Sequence, residues 1–199
     1  MQHASAVNRE LFHVTGRSGG PCKKRVNMST PVSYIFLDFD GVTHPLGETA
    51  DFRSLPLIES VLREFPEARI VISSDWRALF SMSKLIARFS PDLRDRVAGA
   101  SPQIVPKRGM DLYGLREREA MLWLAQHVED VNQAAWCAID DAPGNWQSRK
   151  HLVLTDFKRG FTDEDATVLR RMLTRLREGT VIASEPMRNS FFNRQIASM

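Results

Sequence analysis

Short, mainly apolar runs that end abruptly in polar or acidic residues alternate along this chain with stretches whose apolar residues recur at helical spacing. Val32 to Leu37 reads as a first strand, with the apolar character expected where both faces are covered. Ser54 and Pro56 are helix-start signals; Leu55, Ile58, Val61, Leu62 and Phe65 follow on one face, and Phe65-Pro66 closes the helix. Arg69 to Ser74 is a second buried strand ending in small polar residues. Beyond Asp75-Trp76-Arg77, the positions Leu79, Met82, Leu85, Ile86 and Phe89 keep one helical period until Ser90-Pro91 stops it.

The middle of the chain is less regular. Arg96 to Gly99 reads as a short strand, and Pro102, Pro106 and Gly109 point to loop. A helix from about Leu115 to Val128 should turn Leu122, Ala125 and Val128 inward. Ala134 to Asp141 repeats the opening theme of apolar strand followed by carboxylates, and His151 to Thr155 supplies one more strand. Thr162 to Asp165 resembles a capping box ahead of Val168, Leu169, Met172, Leu173 and Leu176, with Gly179 suited to the C-cap. Arg170, Arg171, Arg175 and Arg177 lie largely off that stripe and read as a solvated face.

Strand and helix in alternation select a parallel, right-handed sheet covered by helices. The expected fold is therefore α/β, a Rossmann-like three-layer α/β/α sandwich over residues 32–178. With 199 residues and 43% hydrophobic content the chain can build one full core. Residues 1–31 are rich in Ser, Gly, Asn, Lys and Arg, and Gly19-Gly20-Pro21 breaks any element there, so they read as a disordered or loosely attached extension. Met28 is a candidate initiator, and a nucleic-acid-binding arm is the sharper alternative. Residues 179–199 form a tail without clear period, in which Phe191-Phe192 is a candidate docking point.

Charge changes this picture little. The net +3 and pI near 9.1 suggest nucleic acid at first sight. Yet Arg9, Arg17, Lys23, Lys24 and Arg25 against Glu10 give +4 by Leu37, leaving −1 for the remainder. The basicity belongs to the extension. Cys22 and Cys137 lie far apart, which argues against a disulfide framework and for a reducing, cytoplasmic setting. No run approaches 18 consecutive apolar residues, and the first thirty lack a secretory apolar core, so no membrane association is expected.

Candidate chemistry begins where the first strand ends. Asp38 and Asp40 flank Phe39 and precede Gly41, and alternation along extended chain would lean both carboxylates the same way at a carboxyl edge, where α/β sheets bind ligands. Carboxylates held that close repel unless a cation or proton intervenes. Mg²⁺, a hard cation held by few carboxylates plus phosphate and water, is the expected cofactor.

The stretch Asp38-Phe39-Asp40-Gly41-Val42 resembles the first motif, Asp-x-Asp-x-(Thr/Val), of the haloacid dehalogenase-like (HAD) phosphohydrolases. That resemblance implies Asp38 as nucleophile and Asp40 as general acid and base. It further implies a phosphate-holding hydroxyl at Ser73, with Ser74 as fallback, and a fourth motif at Asp140-Asp141 that completes a metal site with Asp38 and Asp40. The third-motif cation would be Arg116, since Arg116-x-x-Glu119 before Trp123-Leu124 is similar to a HAD subgroup found in RNA-repair-type multidomain proteins; Lys107 is its rival. Little room remains for a cap domain, and the resulting open site would suit a phosphorylated substrate, small or macromolecular, with nucleic-acid ends among the candidates. His44, Trp76 and Arg77 would rim it, Trp76 stacking on a base or packing in the core, Arg77 holding phosphate or forming a helix-surface ion pair. The expected activity is a phosphomonoesterase working through an aspartyl-phosphate, against a polynucleotide-end phosphatase or a catalytically idle HAD-fold binding module.

Overall fold

The computed structural model describes residues 31–179, and the expectations for the N-terminal extension, Cys22 and the C-terminal tail lie outside them. Five strands form one sheet: β1 (Ser33–Leu37), β2 (Ala68–Ile72), β3 (Val97–Ala100), β4 (Ala135–Asp140) and β5 (Leu152–Leu154). Their order is β3-β2-β1-β4-β5, and every pairing is parallel. Strand β1 lies at the centre, where a short apolar segment gains most from cover on both faces.

Alternation along the strands sorts the core into two layers. Ile35, Leu37, Ile70, Ile72, Cys137 and Ile139 pack with α1 (Leu55–Glu64) and α5 (Asp163–Arg177). Phe36, Val71, Trp136 and Ala138 pack instead against α4 (Leu115–His127) through Ala120, Trp123 and Leu124. The three-layer α/β/α sandwich is as expected. Cys137 is buried in the first layer, and burial pushes its thiol up to about 12, so it is an inert core residue.

Both amphipathic helices follow their sequence pattern. Leu55, Ile58, Val61 and Leu62 of α1 are buried. Helix α5 opens with the reciprocal Thr162–Asp165 capping box, and Gly179, at φ +68, follows its C-cap. Val168, expected inward, is 39% exposed. On its basic face Arg170 pairs with Glu64 and Arg177 with Glu67.

Two readings are corrected. The single helix expected around Leu79 and Phe89 is broken into α2 (Trp76–Leu79) and α3 (Met82–Ile86), because Phe80 and Ser81 are extended and Leu79 turns outward, 75% exposed. In α4 the buried face carries Ala120, Met121, Trp123 and Leu124 rather than Leu122, Ala125 and Val128. Between β1 and β2 there is one loop and α1, and between β2 and β3 only short helical segments, so no separate cap body is inserted there. No helix among the described residues is long and apolar enough to cross a membrane.

Candidate active site

The carboxyl ends of β2, β1 and β4 lie side by side. The Ser73 N–H donates to Leu37 O at 2.9 Å, and the Asp38 N–H donates to Ile139 O at 3.0 Å. Because Ile35, Leu37 and Phe39 face the α1/α5 layer, Asp38 emerges on the α4 side, as does Asp140 after Trp136 and Ala138. Strand parity thus joins residues a hundred positions apart.

Asp38, Asp140 and Asp141 bring one carboxylate oxygen each to within 4.8 Å of one another. Burial, then the Asp140 charge, push the Asp38 carboxyl from 3.8 up to about 7; Arg116, the Ser74 hydroxyl and the Phe39 N–H pull the other way. Asp140 is likewise raised by burial, and Asp141 by burial and then by the charges of Asp140 and Asp40. Asp140 Oδ1 accepts from the Ala142 N–H at 2.7 Å, whereas Oδ2 is buried without a hydrogen-bond partner. The Trp146 indole N–H pulls on this carboxyl from nearby, but by geometry it closes no hydrogen bond. An unpartnered buried carboxylate oxygen beside two further carboxylates is a donor set suited to a hard cation. The residues present fit a metal.

Backbone geometry holds the cluster together. Gly41 has φ +68, and a Cβ there would run into the Asp141 carboxylate, so glycine is required twice over. Thr155 Oγ1 donates to Gly41 O at 2.8 Å and fixes the loop.

Arg116, in the first turn of α4, brings its charge to bear on Asp38 and Asp140. Asp38, Asp75 and Glu119 all raise its pKa against the effect of burial. Its guanidinium meets Asp75 at 2.7 Å and Glu119 at 3.4 Å. Lys107 sits exposed on the loop between β3 and α4, and the cationic charge acting on Asp38 and Asp140 is that of Arg116.

The other expected site residues are placed differently. Asp40 stands outside the three-aspartate cluster: Trp76 Nε1 donates to its Oδ2 at 2.8 Å, and His44 Nε2 lies 3.1 Å from its Oδ1. Two fixed neighbours hold that carboxyl away from its mutually repelling neighbours. Arg77 is neither free to hold phosphate nor on a helix surface: its guanidinium donates to Ser101 O, Ser73 O, Ser74 O and Glu119, and its side chain is 5% exposed. It ties the ends of β2 and β3 together. Of the two serines, Ser74 has its hydroxyl beside Asp38, while the Ser73 hydroxyl is buried without a partner.

Two buried glutamates carry roles the sequence did not announce. Glu119 bridges Arg77 and Arg116 and accepts the Ile104 N–H at 2.8 Å. Glu117 accepts the Gln147 and Ser148 N–H groups and the Ser148 hydroxyl, pinning the loop that follows β4. Glu119 had a signal in its place three residues after Arg116 ahead of Trp123-Leu124, but neither its bridging role nor any role of Glu117 could be read from that spacing.

A family profile described as the HAD domain in Swiss Army Knife RNA repair proteins matches residues 34–166. No curated protein and no solved structure matches the chain. The matched span takes in both aspartate pairs, Ser73, Ser74 and Arg116, and exceeds half of the 199 residues, so the chain belongs to the family of HAD domains found in Swiss Army Knife RNA repair proteins.

Proposed function

We propose that this chain is a phosphomonoester hydrolase that works through an aspartyl-phosphate on Asp38, with Mg²⁺ held by Asp38, Asp140 and Asp141. The observation that carries this reading is the convergence of three carboxylates, those of Asp38 and Asp140 buried and that of Asp141 half-buried, with Arg116 at one sheet edge. Bound there, the cation would offset the charge of phosphate and carboxylates and let an anionic nucleophile approach an anion. Arg116 adds positive charge where negative charge accumulates on the phosphoryl oxygens. The Ser74 hydroxyl, beside Asp38, is placed to orient one of them.

In the first half-reaction an Asp38 oxygen bonds to phosphorus while the ester P–O bond breaks. The departing oxygen keeps the bonding pair and takes a proton from Asp40, leaving as an alcohol. In the second half, water attacks phosphorus and gives a proton to Asp40 as the Asp38 O–P bond breaks. Phosphate is released and both aspartates return to their starting states.

Asp38→Asn should abolish Mg²⁺-dependent hydrolysis of p-nitrophenyl phosphate while leaving the circular dichroism spectrum intact. Retained turnover, or no turnover by the parent chain on any of a broad set of phosphate esters, removes the proposal.

A second reading, in which the phosphate terminates a polynucleotide, is supported by the loops beside the site. Leu79, Phe80, Val105, Leu112 and Tyr113 are all exposed on the segments leaving β2 and β3, together with Lys107 and Arg108. Apolar and aromatic surface interleaved with cations suits stacked bases and their phosphates. Faster hydrolysis of an oligonucleotide end phosphate than of p-nitrophenyl phosphate, falling as salt rises, would support it; equal rates would return the site to small esters. The intact acidic cluster argues against an idle binding module, which has no use for repelling carboxylates. The cytoplasm remains the proposed compartment on cysteine usage alone.

A further inference from the structure

The loop that carries Asp40 is organised around that one carboxyl. Thr43 Oγ1 donates to Phe39 O at 2.9 Å, which uses its only hydrogen. At the 3.0 Å contact with His44, therefore, Nδ1 must be the donor and Thr43 Oγ1 the acceptor. This fixes the tautomer: in the neutral ring Nε2 carries no hydrogen, so at its 3.1 Å contact with Asp40 Oδ1 the protonated Asp40 carboxyl donates and Nε2 accepts. His44 is 1% exposed, buried between Phe52 at 5.2 Å and Trp76 at 6.1 Å between ring centroids.

The other carboxyl oxygen is fixed from a different element. Trp76, which opens α2, reaches Asp40 Oδ2 with its indole N–H at 2.8 Å. Its ring is held by Phe39, Phe52 and Phe80 at centroid distances of 5.9, 5.4 and 5.0 Å. Arg88 caps this cage, its guanidinium lying 5.0 Å from the Phe52 centroid and 5.7 Å from that of Trp76. A partly buried aromatic cage thus grips a carboxyl whose own side chain stays 41% exposed, open to an incoming group.

We propose that His44 and Trp76 are positioning residues that lock the Asp40 carboxyl in one orientation, outside the acidic cluster, for proton transfer to the leaving group. The inference rests on the reading of Asp40 as general acid. Without the two anchors the carboxyl would be free to swing towards the cation site, and its proton would no longer sit within reach of the departing oxygen.

The prediction concerns leaving groups. An alkoxide leaves poorly unless it is protonated, whereas p-nitrophenolate leaves without help. Trp76→Phe keeps the ring and deletes one N–H; His44→Leu deletes the second anchor, and His44→Gln retains an amide that can still reach Asp40. In the full chain with Mg²⁺, Trp76→Phe and His44→Leu should lower kcat/KM on glycerol phosphate at least tenfold more than on p-nitrophenyl phosphate. His44→Gln should recover part of that gap. Removal of general acid catalysis altogether costs about 10²- to 10⁴-fold, so Asp40→Asn sets the upper limit. Mg²⁺ affinity by calorimetry should stay within about threefold of the parent.

Equal losses on the two esters in the His44 and Trp76 variants, with Asp40→Asn still discriminating between them, would overturn the positioning role alone. If Asp40→Asn also loses both esters equally, the assignment of Asp40 as the acid fails and the inference with it. A melting midpoint lowered so far that the variants do not fold at assay temperature would overturn it for His44→Leu, leaving Trp76→Phe to decide.

Discussion

Gly41 shows how a single residue can be fixed by chemistry it does not perform. Its φ of +68 lies where side chains are strained, and the Asp141 carboxylate occupies the space a Cβ would fill. Gly41→Ala should therefore cost about 1–3 kcal/mol in strain. In a domain of this size that corresponds to a fall of roughly 2–12 °C in melting midpoint. Mg²⁺ binding should also weaken by tenfold or more, because Asp141 must move; a variant that kept both its midpoint and its metal affinity would show that the loop yields freely. Glycine after two aspartates is visible in the sequence, and so are the two strand-end aspartate pairs, since each follows an apolar run. The divergence of Asp40 from Asp38 is not. It depends on Trp76, thirty-six positions away, and on a His44 tautomer settled only by tracing each hydrogen bond. Spacing says that two carboxyls can share a direction; only their partners decide that they do not.

Among the elements, α1 and α5 were legible because a single apolar stripe faces the sheet and polar residues face water. Helix α4 was legible in its extent but not in its buried face, because Arg116, Glu117 and Glu119 are themselves buried at its N-terminal end. Burial of charge requires partners on other segments, and those are set by tertiary structure. The sharpest test is Glu119→Gln. Glu119 lies between the guanidinium groups of Arg77 and Arg116, and neutralising it leaves two buried cations without their shared anion. A cost of about 3–5 kcal/mol follows from the loss of one partner in a buried ion network. Turnover should drop as well, because Arg116 loses one of the contacts that aim it at Asp38. By contrast Arg170→Ala breaks a pair with Glu64 at the protein surface and should cost less than about 1 kcal/mol. Chemical denaturation of both variants checks the contrast, and equal destabilisation would refute the weight given to Glu119. The break between α2 and α3 is another case of tertiary override: the apolar period through Leu79 is intact in the sequence, yet Phe80 is extended and packs beside Trp76.

At the scale of the whole molecule, the sheet converts distant sequence positions into one acidic edge, and the metal-free protein bears the consequence. Folding raises the Asp38 carboxyl from 3.8 to about 7, mainly through burial, so the folded state holds a proton there that the unfolded chain has already released. The sign follows directly. Stability from this group is fully present below about pH 4 and is lost progressively as pH climbs to about 7; Asp140 and Asp141, also raised, act in the same direction. Carboxylates on the surface that are lowered by arginine partners, such as Glu64 and Asp92, act in the opposite sense, so a bare stability profile mixes the two. Comparing melting midpoints with and without Mg²⁺ removes the surface groups, which are common to both measurements. The cation competes with the proton, so its stabilising effect should be small at pH 5 and grow to a plateau above about pH 7. At a concentration one hundred times its dissociation constant, Mg²⁺ should add about 2.7 kcal/mol, a shift of roughly 5–11 °C. Chelation with EDTA at pH 8 should reverse it, and Asp38→Asn should flatten the pH dependence of the shift. A Mg²⁺ shift independent of pH between 5 and 8 would mean that the ion binds somewhere other than the carboxylates at the ends of β1 and β4.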